Sequence, residues 1–126
     1  MNTQHSSLLE SFRFAFAGLG NALRTQRNAR IHVSIAAVVL VVAAALGLDA
    51  MEWAVIVLTV GFVFVAELFN TVVEAVVDLV TEEYHPLAKQ AKDVAAGAVL
   101  VSAVVAVTVG VLVLGPALLA RIGWNP

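Results

Sequence analysis

Three runs of the chain, residues 31–48, 53–80 and 94–114, are overwhelmingly apolar, and the first and third hold no Asp, Glu, Lys or Arg at all. At ~1.5 Å rise per residue each is long enough as a helix to cross, or nearly cross, the ~30 Å hydrocarbon core of a bilayer. The backbone inside such a core has no water to bond to, so helices or closed barrels are the only spanning solutions. The chain is 61% hydrophobic with a mean hydropathy of +0.96, where soluble domains use roughly 45–50% apolar residues. These features predict an all-α integral membrane protein, a single domain over 1–126 with membrane helices at 31–48, 53–80 and 94–114. Cysteine is absent, which excludes disulfides and thiolate metal sites. A net charge of −2 gives no basic footprint, and no nucleic-acid partner is expected.

The middle run breaks its own rule. Glu67, Asn70, Glu74 and Asp78 follow one another at offsets of three, seven and eleven from Glu67, which places them on one narrow stripe of a helix with Thr71 beside them. An ionisable group at membrane depth costs at least ~2.5–3.5 kcal/mol on insertion scales, so several in register mark a site rather than an accident. A lone membrane carboxylate serving as a helix-packing hydrogen bonder is the bland reading, and four polar groups on one stripe argue against it for the set.

Before the first span, residues 7–28 repeat Leu8, Phe12, Phe16, Leu19 and Leu23 at helical spacing, with Glu10, Arg13, Asn21 and Arg24 on other faces. This predicts an amphipathic helix lying in the membrane interface; an ordinary packing helix is the alternative. Gly47-Leu48-Asp49 signals a turn, Pro86 opens a new helix after a polar segment, and Gly115-Pro116 should end or bend the last span. Arg13, Arg24, Arg27 and Arg30 precede the first span, Lys89 and Lys92 follow the second, and the intervening connection has no Lys or Arg. The positive-inside rule then sets the N-terminus and the 81–93 loop in the cytoplasm and the C-terminus outside, in a multi-pass protein of the cytoplasmic membrane. The polar stripe should run from mid-membrane to cytoplasmic water.

Carboxylates with a carboxamide suit Mg²⁺, which prefers oxygen ligands and bridges to phosphate. Lys92 suits phosphate as a point charge. Glu67, deeper, is placed to take a proton from a hydroxyl presented by the lipid phase. Together these parts predict phosphoryl transfer to a lipid alcohol. No P-loop of the form GxxxxGK[ST] occurs, and His32 and His85 are too far apart in the chain to argue for zinc. Three spans leave the stripe facing lipid unless protomers associate, and the small residues of the first and third spans permit close packing.

The stretch Glu67-Leu-Phe-Asn70-Thr-Val-Val-Glu74-Ala-Val-Val-Asp78, with Glu83-Tyr84-His85-Pro86-Leu87-Ala88-Lys89 and Ala91-Lys92-Asp93, closely resembles the small bacterial diacylglycerol kinase and undecaprenol kinase family over roughly residues 11–115. The resemblance implies a homotrimer of three-span protomers with a surface helix, using MgATP at sites shared by neighbouring subunits. It implies Glu67 as general base, Glu74 as a magnesium-binding carboxylate, Asn70 as a site-orienting residue, and Lys92 with Asp93 as nucleotide contacts. Glu83, Tyr84 and His85 match the loop near the nucleotide. The His85-Pro86-Leu87-Ala88-Lys89 version is similar to the Gram-positive branch, whose lipid substrate is undecaprenol. One position departs: Gln26 stands where the family usually has a second metal-binding Glu, offering an oxygen without its negative charge. The expected activity is therefore an ATP-dependent undecaprenol kinase. Diacylglycerol kinase, a non-catalytic member of the same fold, and a small ion-conducting oligomer are the rival readings.

Overall fold

The first helix starts where the sequence supplies a capping box. The Glu10 N–H donates to Ser7 Oγ (3.3 Å) and the Ser7 N–H donates to Glu10 Oε2 (2.9 Å), which satisfies donors that the first turn of α1 (Leu8–Thr25) would otherwise leave open. The computed structural model describes residues 7–124; the outermost residues of the 1–126 domain lie outside that range. Periodicity suggests helix as far as residue 28, yet the chain turns extended at Gln26 (φ −101°, ψ 114°) and resumes at once as α2 (Arg27–Leu46). Arg30 secures this joint by donating from Nη1 to the carbonyls of Leu23 (3.2 Å) and Arg24 (2.9 Å), two acceptors stranded at the end of α1.

Gly47 terminates α2 in the left-handed region (φ 70°, ψ 49°), and Asp49 then caps α3 (Ala50–Val80). Asp49 and Glu52 form a second capping box, with the Glu52 N–H donating to Asp49 Oδ1 (2.8 Å) and the Asp49 N–H to Glu52 Oε2 (2.9 Å). The apparently polar connection is thus already the first turn of the helix. At 31 residues α3 is about 46 Å long, more than a hydrocarbon core needs. After the connection 81–85, His85 caps α4 (Pro86–Arg121) through Nδ1, which accepts from the Leu87 N–H (3.2 Å), while Pro86 occupies a first-turn position where its missing N–H costs nothing. Helix α4 does not end at Gly115-Pro116; it continues through Pro116 to Arg121. Proline removes one hydrogen bond, whereas leaving the helix in an apolar medium would strand several backbone groups.

Helices α2, α3 and α4 each have the length and composition to cross a membrane. The most extensive packing is between α3 and α4, antiparallel partners across the short connection; α2 lies against both, and α1 against α2. Few side chains are buried among the described residues, and they do not form an apolar core. Ala22, Ala29, Ala43 and Ile56 are joined by Glu67, Asn70 and Ser102, while large apolar residues such as Phe12, Phe62, Phe69 and Leu112 face outward. This inside-out distribution suits a protein whose surroundings are hydrocarbon.

No side chain or backbone of the fold crowds a Cβ built at Gly47, so its substitution carries the backbone cost alone. Gly47→Ala should destabilise the fold by about 1 kcal/mol, the penalty of the left-handed conformation for an L-residue, read as a lowered thermal midpoint in detergent micelles.

Candidate active site

The stripe on α3 becomes a gradient of burial. Glu67 is 1% exposed and Asn70 7%, Glu74 is half-buried, and Asp78 is open. The helix therefore carries its polar column from the interior of the bundle to its surface. Thr71 Oγ1 donates to the Glu67 carbonyl (3.0 Å), an ordinary local bond that removes its hydroxyl from the site. Asn70 Nδ2 donates to Glu74 Oε1 at a long 3.4 Å. This contact orients the carboxamide so that its oxygen points elsewhere.

Two buried oxygens, Glu67 Oε2 and Asn70 Oδ1, accept no hydrogen bond. A buried acceptor without a partner costs about 1–3 kcal/mol, and two neighbours in that state on one column are what a ligand-binding centre requires. The Asn70 oxygen fits a hard cation. Mg²⁺ is ordinarily held by one or two carboxylates together with substrate phosphates, and Glu74, one turn along from Asn70, supplies a carboxylate of that kind. No group of three or more His, Asp or Glu side chains gathers to hold a metal among the described residues.

Glu67 has a neighbour on another helix. His32 Nε2 of α2 lies 3.7 Å from Glu67 Oε2, and no other basic side chain among the described residues comes within 4.0 Å of that carboxylate. Sequence reasoning considered His32 only as a zinc ligand and missed this pairing. A signal was present: α2 and α3 run antiparallel from a common turn, with His32 fourteen residues before the end of α2 and Glu67 seventeen after the start of α3, at similar depth.

The other site residues are placed near the polar end. Lys92 Nζ donates to Asp78 Oδ1 (2.6 Å), tying α4 to α3 below the connection, and Lys89 pairs with Asp93 one turn along α4. The Glu83 N–H donates to Thr81 Oγ1 (3.2 Å), Tyr84 is 80% exposed, and His85 is the α4 cap. Gln26 sits half-buried in the α1–α2 joint, and its side chain caps neither helix. The structure thus brings Asn70 to Glu74 and Lys92 to Asp78, and it shows no bond from Gln26, Glu83, Tyr84 or Asp93 to the buried column.

One cavity reaches the column and a second lies beside His32. One of about 670 Å³ lies between α3 and α4, where Asn70 and Gln90 are the polar residues in a wall that includes Phe62, Phe69 and Leu87. The other, about 500 Å³, lies among α2, α3 and α4, and His32 and Thr59 are the polar residues of its lining. Apolar space thus reaches Asn70 on the α4 side, and His32, the neighbour of Glu67, among the three spans.

A family model described as prokaryotic diacylglycerol kinase matches residues 13–114, a range that contains the whole column. The chain belongs to the prokaryotic diacylglycerol kinase family. It is a membrane protein and a lipid kinase. It is 51% identical over 115 residues to a diacylglycerol kinase of Synechocystis sp., covering 90% of this chain and 66% of that one, just under two thirds of the relative's length. It is 44% identical over 109 residues to the undecaprenol kinase of Bacillus subtilis, covering 86% and 89% of the two chains. The diacylglycerol kinase of Escherichia coli K12 is more distant, at 30% over 105 residues, with 83% and 86% covered.

The Lys92–Asp78 pair of this kinase is solvent-exposed, so its contribution to stability is small. Lys92→Met should cost less than about 1 kcal/mol in detergent unfolding, and a larger loss would assign Lys92 to holding the hairpin.

Proposed function

We propose that the chain transfers the γ-phosphate of ATP to the hydroxyl of a membrane lipid alcohol, with undecaprenol as the substrate and undecaprenyl phosphate as the product. The observation that carries this reading is the buried column, in which Glu67 and Asn70 hold unpartnered oxygens, Asn70 at the edge of an apolar cavity, in a chain of a lipid-kinase family. A lipid tail shares the bilayer with the helices, so the alcohol reaches Glu67 from the apolar side, and the nucleotide reaches the column from its polar end.

In this reading Glu67 accepts the hydroxyl proton as the alcohol oxygen bonds to the γ-phosphorus; the bond from that phosphorus to the bridging oxygen breaks, and ADP leaves. Phosphoryl transfer needs mainly positioning and charge neutralisation. Glu74 and Gln26, the latter as a neutral oxygen donor, would hold Mg²⁺, with Asn70 orienting the site, and the ion would neutralise phosphate charge. Lys92 and Asp93 contact the nucleotide, which requires that their pairs with Asp78 and Lys89 open. Glu83, Tyr84 and His85 line its approach. Arg13, Arg24, Arg27 and Arg30 around the α1–α2 joint, with Lys89 and Lys92 on α4, favour a cytoplasmic position for this end, where ATP is, and an outside C-terminus.

The wide outward-facing apolar surface and the exposed α1 support a homotrimer with α1 as an amphipathic surface helix and with sites completed by neighbouring subunits. Undecaprenol is favoured by the His85-Pro86-Leu87-Ala88-Lys89 loop and by the similarity to the Bacillus subtilis undecaprenol kinase. Diacylglycerol is the second reading, favoured by the 51% identity to the Synechocystis diacylglycerol kinase.

The deciding experiment offers undecaprenol and diacylglycerol in parallel to purified protein in mixed micelles with MgATP labelled at the γ-phosphate. Labelled undecaprenyl phosphate is expected; labelled phosphatidic acid alone would overturn the substrate, and label in neither lipid would overturn the kinase reading. Glu67→Gln should lower the transfer rate by about a hundredfold or more while nucleotide binding persists, as loss of a general base does. Gln26→Glu should lower the Mg²⁺ concentration needed for half-maximal rate, because it restores a charged ligand.

A further inference from the structure

We propose that His32 is a positioning residue for Glu67, holding the carboxylate so that one oxygen faces the imidazole and the other faces the incoming alcohol. The inference rests on the kinase reading for its catalytic consequence, though the pairing itself does not. Glu67 is almost completely buried, and Oε2, the oxygen facing His32, is buried without a hydrogen-bond partner among the described residues. His32 Nε2 stands 3.7 Å away, about 0.5 Å beyond direct hydrogen-bond reach, so a small rotation about either side chain closes the contact.

The surroundings leave Oε2 no competitor. Along α3, Thr71 bonds the Glu67 backbone carbonyl and Asn70 is turned towards Glu74. Lys92 and Lys89, the cations in the first two turns of α4, are engaged with Asp78 and Asp93. Arg30, the basic residue of α2 nearest to His32 in sequence, is committed to the end of α1. Among the described residues the imidazole makes no side-chain hydrogen bond, so its donor is uncommitted there.

Its other side faces the cavity among α2, α3 and α4, and there too it stands alone. Thr59, the second polar residue of that lining, spends its hydroxyl on the Val55 carbonyl (2.7 Å). His32 is therefore the polar group interposed between an apolar space and the buried carboxylate. A carboxylate with one oxygen held has one rotational choice left, and a base that must meet a hydroxyl gains from that restriction.

The test compares His32→Leu, which removes the donor, with His32→Gln, whose amide nitrogen reaches the place of Nε2. With Glu67 held by His32, kcat for lipid phosphorylation should fall about tenfold in H32L, the lower scale on which orienting partners of reactive groups act, with KM for lipid and for ATP nearly unchanged. H32Q should recover most of the loss. Wild-type kcat in H32L, a change confined to KM, or equal impairment in H32L and H32Q would each overturn the proposal. Size-exclusion chromatography in detergent checks that both variants keep the wild-type assembly, and H32Q carries the test if H32L does not fold.

A second readout does not depend on kinase activity. The carboxyl stretching band of Glu67, isolated in infrared difference spectra against Glu67→Gln, should shift in H32L and return in H32Q. An unmoved band would overturn the pairing, even if neither lipid were phosphorylated by the wild-type protein.

Discussion

Hydrocarbon offers no hydrogen bonds, and that single property of the surroundings organises both the fold and the site. Every backbone donor and acceptor in the spans must find its partner within the chain, which is why each apolar run is continuous helix and why α4 tolerates Pro116 rather than breaking there. The same constraint turns the usual distribution of side chains around. Phenylalanines, leucines and valines face outward at no cost, and the protected positions go to alanine, to Ser102, whose hydroxyl bonds the Val99 carbonyl (2.7 Å), and to Glu67 and Asn70.

A polar group so placed is expensive unless something offsets it. Thr59, Thr71, Ser102 and Thr108 solve the problem locally by bonding a carbonyl three or four residues back along their own helix. Glu67 and Asn70 have no such solution for Oε2 and Oδ1, and this difference separates structural polar residues from those of the site. The energetic burden of the column is carried by the α3–α4 hairpin, which is the most extensive packing in the protein and is closed at its polar end by the Asp78–Lys92 pair.

The joint between α1 and α2 has a different physical basis. Gln26 is extended, both helix ends at the joint are left without side-chain caps, and Arg30 reaches back to satisfy α1. A basic side chain, rather than a glycine, makes this turn, and so the joint reads in the sequence as uninterrupted helix. Gln26 is thereby left half-buried at the joint, with its side chain capping neither helix.

The sequence by itself determined the elements and the main column of the site. Hydropathy demanded three spanning helices, the turn residues at Gly47 and Pro86 divided them, and the offsets of Glu67, Asn70, Glu74 and Asp78 required one face, because a helix converts spacing into direction without help from the rest of the chain. The motif around that column was also long enough to reveal the family. Only the tertiary structure decided which side chains on different helices meet. Helix faces rich in valine and alanine pack in many rotations at nearly equal energy, and lipid tails compete with them on equal terms, so the matching depth of His32 and Glu67 does not by itself fix that their faces meet. The same holds for Lys92, legible as a basic residue near a membrane edge and paired with Asp78 only once α4 folds back on α3. Distances between helices are properties of packing, and packing here is set by the few small and polar residues at the contacts rather than by the apolar majority that makes the helices recognisable.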